Sequence, residues 1–311
     1  MSVATTVVPK PTLRRRLRLG NRGGLAGYLF VAPSIIFMIV FIILPIILAF
    51  YYSLTRYDLM RPPELIGFDH YLKLGEDTRY PRAVLNTLYF AFGTVPAGVV
   101  TSLLLAVLIN RHIRGIYTYR ALFYMPVVSS FVAVSLIWLW LYEPQFGLLN
   151  DLLESLGLPR FKWLRSAATS MLSIIIMSVW KNMGLNMVIY LAGLQGIAPH
   201  LYEASEIDGA GRVSQFFRIT LPLLGPTTFF VVIVYFIGAL QIFVQVWVMA
   251  QTGYDVGGPL DSTVTVVVLI YSNAFAYLKM GYAAAMSFVL FMVIAVITLV
   301  NARLLRYDIG Y

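Results

Sequence analysis

Six apolar stretches, each long enough to cross a hydrocarbon core, lie at residues 26–51, 84–109, 119–142, 170–195, 227–250 and 281–302. A transmembrane helix needs roughly 20 apolar residues. The pattern therefore specifies an all-α, polytopic membrane protein with six transmembrane helices. Only 12% of the residues are charged and 59% are hydrophobic, against about 25% charged in a soluble domain. A soluble fold cannot cover that much apolar surface. A seventh apolar segment, Val264–Ala276, is shorter and reads as a short helix at the outer face.

Orientation follows from Lys and Arg, which favour the cytoplasmic side. A dense cluster (Arg14, Arg15, Arg16, Arg18, Arg22) precedes the first stretch, and Arg111, Arg114 and Arg120 crowd the second connection. Both termini are expected in the cytoplasm, and the acidic residues fall mainly in the opposite set of loops. Residues 1–25 then form a cytoplasmic basic tail touching anionic headgroups of the bilayer, and 26–306 the six-helix domain. The net charge of +9 is explained by this bias, with no nucleic-acid partner. The first stretch is too long for the apolar core of a cleavable signal and lacks a small-residue cleavage site.

The connection at 196–226 is polar, long and patterned. Pro199 suits a first helical position, and Leu201–Ile207 holds good helix formers. Gly209 and Gly211 break the run, and a second short helix over 213–220 should end before Pro222. The outer loop at 143–169 contains a possible short helix at Leu148–Leu156.

Polar residues inside spans are costly and often mark a path. On the fourth span these are Lys181, Asn182 and Asn186; on the fifth, Tyr235, Gln241 and Gln245. Asn182 and Asn186 are four apart and share a helical face, as do Gln241 and Gln245. Amides and hydroxyls suit sugar hydroxyls, and Trp180 offers an aromatic face. Such amides also join helices simply by hydrogen bonds. No span holds an acidic partner for Lys181, which could instead reach water in a cavity or a carboxylate of another subunit. There is no G-x-x-x-x-G-K-[ST] phosphate cradle and no H-E-x-x-H metal spacing. His70, His112 and His200 are scattered through loops, so no metal site is expected.

Glu203-Ala204-Ser205, three residues, Gly209, nine residues, then Ile219-Thr220-Leu221-Pro222 resembles the EAA loop of ATP-binding-cassette importer permeases, with Ser205 where that family commonly has Ala. The likeness extends over nearly the whole chain to the maltose and glycerol-phosphate type: Leu29-Phe30-Val31-Ala32-Pro33-Ser34, Asn86-Thr87, Tyr119–Pro126, Phe146-Gly147-Leu148-Leu149-Asn150, Leu191–Gln195, Gly257-Gly258-Pro259 and Gly281–Ala285. The resemblance implies a type I importer permease fold. Its two-helix cytoplasmic coupling loop would dock on an ATPase through Glu203, Ala204, Ser205, Asp208, Gly209, Ile219 and Pro222. It implies a second homologous permease, two ATPase subunits that bind ATP and Mg, and an external binding protein that delivers a sugar or polyol. No cofactor and no enzyme activity are then expected in this chain, which would sit in the inner membrane. Three readings compete with a sugar importer. They are a permease for glycerol phosphate, polyamine or oxyanion; an ion-driven transporter, which would need intramembrane carboxylates and inverted repeats; and a membrane-embedded enzyme.

Overall fold

The computed structural model describes residues 23–110, 115–252 and 255–304. The tail through Arg22, His112 with its neighbours Arg111 and Arg114, and Arg306 lie outside the described residues. The chain divides into two units, one through Tyr51 and one from Tyr52 onward.

In the first unit α1 (Gly23–Met38) runs through a π turn at Ile39–Ile43 into α2 (Leu44–Ser53). Pro45 follows that turn by two residues. A proline lacks its N–H and its ring crowds the carbonyl four residues back. The wider turn, in which Leu44 N–H reaches back to Ile39 O, absorbs both problems.

The second unit is built around α4 (Arg79–Ile109) and α8 (Ser170–Gln195), packed along their lengths. Phe90, Ala91 and Val95 are buried with Met171, Ile174 and Ile175. Towards the other end Leu103, Ala106 and Ile109 bury Met187, Tyr190 and Leu194. Leu85, Phe92, Leu104 and Leu108 on the outward side of α4 are exposed, as a lipid-facing surface requires.

Among the described residues four helices are long and apolar enough to cross a membrane, and six stretches are if each of two bent pairs counts as one. Two of the six expected stretches are not single straight helices. The third stretch is α5 (Ile116–Val128) and α6 (Phe131–Leu141), which turn by 97°. Ser129 and Ser130 between them are extended, with ψ of 146° and 140°. Ser130 Oγ then caps α6 by accepting from Val132 N–H at 3.3 Å.

The fifth stretch follows a bend and is broken once. The run α10 (Arg212–Leu223) meets α11 (Gly225–Leu240) at 63°. Pro226 sits in the first turn of α11, where its missing N–H costs nothing. Gln241–Phe243 then leave helical geometry before α12 (Val244–Met249). The loop helix expected to stop before Pro222 continues to Leu223. A second π turn, Phe216–Thr220, again ends two residues ahead of the proline, with Leu221 N–H bonded to Phe216 O.

The short apolar segment forms α13 (Val266–Ala276), with Val266, Val268 and Leu269 buried in the main core. The end of α4 anchors it. Thr87 Oγ1 accepts from Val266 N–H at 3.1 Å. Asn86 Nδ2 donates to Asp261 O at 2.8 Å and to Val264 O at 2.9 Å. Arg79 grips the Asp261 carboxylate with Nη2 at 2.7 Å and Nε at 3.1 Å. The last long helix is α14 (Met280–Leu304).

Shorter pieces complete the unit. They are α3 (Asp69–Glu76), which carries His70, α7 (Leu148–Ser155), α9 (Pro199–Ile207), which carries His200, and two small antiparallel hairpins. His70 and His200 thus lie on short helices rather than in open loops.

Candidate functional site

Five of the six polar span residues singled out by spacing meet around one cavity. Asn182 and Asn186 from α8, Tyr235 from α11, and Gln241 and Gln245 from the break after it line a space of about 380 Å³. Phe90 and Thr94 of α4, Phe131 at the head of α6, and Phe243 complete much of the wall. The break at 241–243 is what lets Gln241 and Gln245 face it together with non-helical backbone, which membranes tolerate where it borders a cavity.

The polar edges are partly unspent. Asn182 Nδ2 donates to Ser178 O at 2.8 Å within its own helix, and the Tyr235 hydroxyl lies beside the Asn182 side chain. Thr94 Oγ1 and Asn186 Nδ2 are buried without a hydrogen-bond partner. A buried polar atom left unmatched costs about 1–3 kcal/mol. No Lys, Arg, His, Asp or Glu is among the lining side chains. The lining thus combines amides, hydroxyls and ring faces with no formal charge.

Lys181, the sixth residue, is not in this wall. Its Nζ donates to Pro126 O at 3.0 Å, Val127 O at 3.4 Å and Ser129 O at 2.9 Å. Trp180 packs on Trp138, ring centroids 5.5 Å apart, and also stays out of the lining. Thr94, Phe131 and Phe243 escaped the sequence reading. Thr94 is one of three threonines on α4, with Thr87 and Thr101, and nothing in its type sets it apart, although Phe90 and Thr94 are four apart and share a face.

The loop forms an elbow. Helix α9 ends at Asp208, and Gly209 turns the chain at φ +78°. Gln215 Nε2 donates to Ser205 Oγ at 3.0 Å, Ser205 Oγ donates to Tyr202 O at 2.8 Å, and the Tyr202 and Thr220 hydroxyls meet at 2.9 Å. These bonds fasten α10 to α9. Glu203, Ala204, Asp208, Gly209 and Pro222 are exposed, and Ile219 is half-buried. Leu201, Ile207, Val213 and Phe217 are exposed apolar side chains on the same loop.

Residues 76–306 match the family described as binding-protein-dependent transport system inner membrane component. The chain belongs to that family. It is 33% identical over 300 residues to the probable ABC transporter permease protein YesP of Bacillus subtilis, covering 96% of each chain. It is 33% identical to the arabinooligosaccharides transport system permease protein AraP of the same organism, covering 90% of this chain and 88% of the other. Identity to the sn-glycerol-3-phosphate permease UgpA of Yersinia pestis is 31%, covering 91% and 95%. Among solved structures, a chain of a bacterial ABC transporter that imports the acidic polysaccharide alginate superposes with a TM-score of 0.80 at 25% identity, covering 95% of this chain and 100% of that one. The fold is therefore that of an importer permease, and the family is a permease component of the inner membrane.

Proposed function

We propose that this permease forms part of the transmembrane path of an ATP-driven importer and passes a neutral sugar or polyol. The observation that carries the substrate class is the uncharged cavity with buried, unpartnered Asn186 Nδ2 and Thr94 Oγ1. A sugar hydroxyl both donates and accepts, so it can satisfy these atoms, while Phe90, Phe131 and Phe243 offer apolar faces to the ring. An anionic substrate would lose its hydration here without meeting a cation in the wall, since the Lys181 ammonium behind Phe131 is engaged by backbone carbonyls. The related permeases named for arabinooligosaccharides and for glycerol phosphate span both chemistries. The lining favours the first.

The energy comes from elsewhere. Two ATPase subunits bind ATP and Mg and dock on the elbow around Gly209, where Leu201, Ile207, Val213 and Phe217 supply exposed apolar contacts beside Glu203. A second homologous permease completes the path, and an external binding protein delivers the sugar. The termini face the cytoplasm, in keeping with the basic tail and positive-inside bias. Nucleotide shifts the permease between its two states only by binding them unequally.

The test is uptake of a labelled panel of neutral mono-, di- and trisaccharides, uronates and glycerol phosphate by cells expressing the complete importer, with Asn186→Ala and Gln245→Ala alongside. The reading expects a neutral member to be transported and both variants to slow it at unchanged membrane level. Transport confined to the anionic members would overturn the substrate class. Full activity of both variants would overturn the cavity.

A further inference from the structure

Lys181 is a charged residue buried to 2% exposure in the middle of a membrane span, and the transport reading gives it no task. Its surroundings are unusual in composition. Every group that meets Nζ is an electron-rich acceptor: the carbonyls of Pro126, Val127 and Ser129, and the face of the Phe131 ring, 4.2 Å from nitrogen to centroid. An ammonium carries three donors and no acceptor, so the environment matches it.

The carbonyls belong to one place. A helix leaves its last four C=O groups without intrahelical partners and carries a partial negative charge there. Helix α5 ends at Val128, and the chain then turns by 97° into α6. In lipid those open carbonyls cannot be left to water. Lys181 reaches across from α8 and fills them.

The same nitrogen holds the next element. Phe131 is the first residue of α6, and its ring forms part of the cavity wall. Cation–π attraction is strongest where the cation is desolvated. Asn182, the residue after Lys181 and about 100° round the same helix, lines the cavity. One side chain thus ties the end of α5, the start of α6 and the wall of the cavity to α8.

A second contact keeps α5 on α8 without help from Lys181. A Cβ at Gly184 would overlap the Phe123 carbonyl oxygen, so the two backbones touch there. Loss of the ammonium therefore leaves the helix pair together and frees the corner.

We propose that Lys181 is a positioning residue for substrate selection: its ammonium fixes the α5–α6 corner and so sets where Phe131 stands in the wall of the transport cavity. The inference rests on the cavity being the sugar path, and the test separates the two ideas. Lys181→Met, Lys181→Arg, Phe131→Leu and Asn186→Ala are expressed in the complete importer, with membrane level matched by blot. The readout is the ratio of maximal uptake rates for the best neutral sugar of the panel and its homologues one unit shorter and one unit longer.

A residue that only supports folding would lower all three rates together. Lys181→Met is expected to change the ratio by roughly tenfold, the scale on which one pocket contact discriminates substrates. Phe131→Leu should change it in the same sense with Lys181 intact, and Lys181→Arg should restore the wild-type ratio. The proposal is overturned if Lys181→Met scales all three rates equally, whatever Phe131→Leu does; if Lys181→Met fails to reach the membrane, a wild-type ratio in Phe131→Leu overturns it. If Asn186→Ala and Phe131→Leu both leave transport unchanged, the cavity reading itself fails.

Discussion

A Cβ atom added at Gly98 of α4 would fall inside the van der Waals envelope of Tyr235 Cε1 on α11 and lie 2.9 Å from the Tyr235 hydroxyl. The missing side chain on one helix is the seat of the aromatic ring on the other. Gly98→Ala must push that ring towards the cavity or push the helices apart, and overpacking of this kind costs about 1–3 kcal/mol. We expect a lower unfolding temperature of the purified complex in detergent and slower sugar uptake at equal membrane level. Tyr235→Leu should relieve the clash in the double variant and recover stability but not transport. Wild-type stability and uptake in Gly98→Ala would show that the contact is not tight.

Asn150 holds the loop at 143–169 by four bonds. Its Nδ2 donates to Pro144 O at 3.1 Å and Phe161 O at 3.0 Å, and its Oδ1 accepts from Phe161 N–H at 3.1 Å and Trp163 Nε1–H at 2.8 Å. The residue is fully buried. Asn150→Ala leaves the Trp163 and Phe161 donors unmatched, which should cost about 2–3 kcal/mol. Asn150→Asp should do no better, because a carboxylate oxygen would face two carbonyls. Faster proteolysis of residues 143–169 and a shifted Trp163 emission would report the loosened loop. Unchanged cleavage in both variants would sink the prediction.

What could be read from the sequence was set by whether a feature has a period. Asn182 and Asn186 announce a shared face by their spacing, and the structure gathers them with Tyr235; Gln241 and Gln245 reach the same cavity, but across the break at 241–243 rather than along one helical face. The breaks at Ser129–Ser130 and Gln241–Phe243 hold one or two polar residues each, but these barely lower a hydropathy averaged over a whole span and do not say whether the helix continues. From the sequence Lys181 could reach water in a cavity or a carboxylate of another subunit. Its partners are backbone carbonyls, which every residue carries and no sequence marks. Ser205 shows the same limit in reverse. As a departure from Ala it looked like a small neutral change, whereas its hydroxyl accepts from Gln215 and fastens the two loop helices.

His70 makes the fold sensitive to acid. Its Nε2–H donates to Thr55 O at 3.0 Å. Burial holds the imidazole below its ordinary value. The Lys73 and Arg56 charges push the same way, and the Thr55 bond and Asp69 oppose them. The unfolded chain therefore binds this proton at higher pH than the folded one. Stability from this group is complete above the ordinary value of 6.5 and declines as pH falls from there through the lower folded value. The unfolding temperature of the purified protein should drop between about pH 7 and about pH 5. His70→Gln, which can still donate to Thr55, should flatten that part of the curve. An identical slope in the variant would assign the sensitivity to other groups.

Substitution at Gly209 would test whether folding and coupling are separable. Its φ of +78° lies where an L side chain costs about 1–2 kcal/mol, and proline, fixed near −65°, cannot go there at all. A Cβ at this exposed position would meet nothing within 4 Å, so the cost is purely conformational. Gly209→Ala should strain the elbow mildly and slow uptake. Gly209→Pro should remake the turn and abolish ATP-driven uptake while the protein still inserts, because the membrane helices do not depend on the bend. Blots for membrane level, sugar uptake and co-purification of the ATPase subunits distinguish the outcomes. Loss of uptake together with loss of the ATPase from the purified complex places the docking surface at this elbow. Retained uptake in Gly209→Pro would mean that the elbow does not transmit the nucleotide signal, and that the ATPase engages another surface.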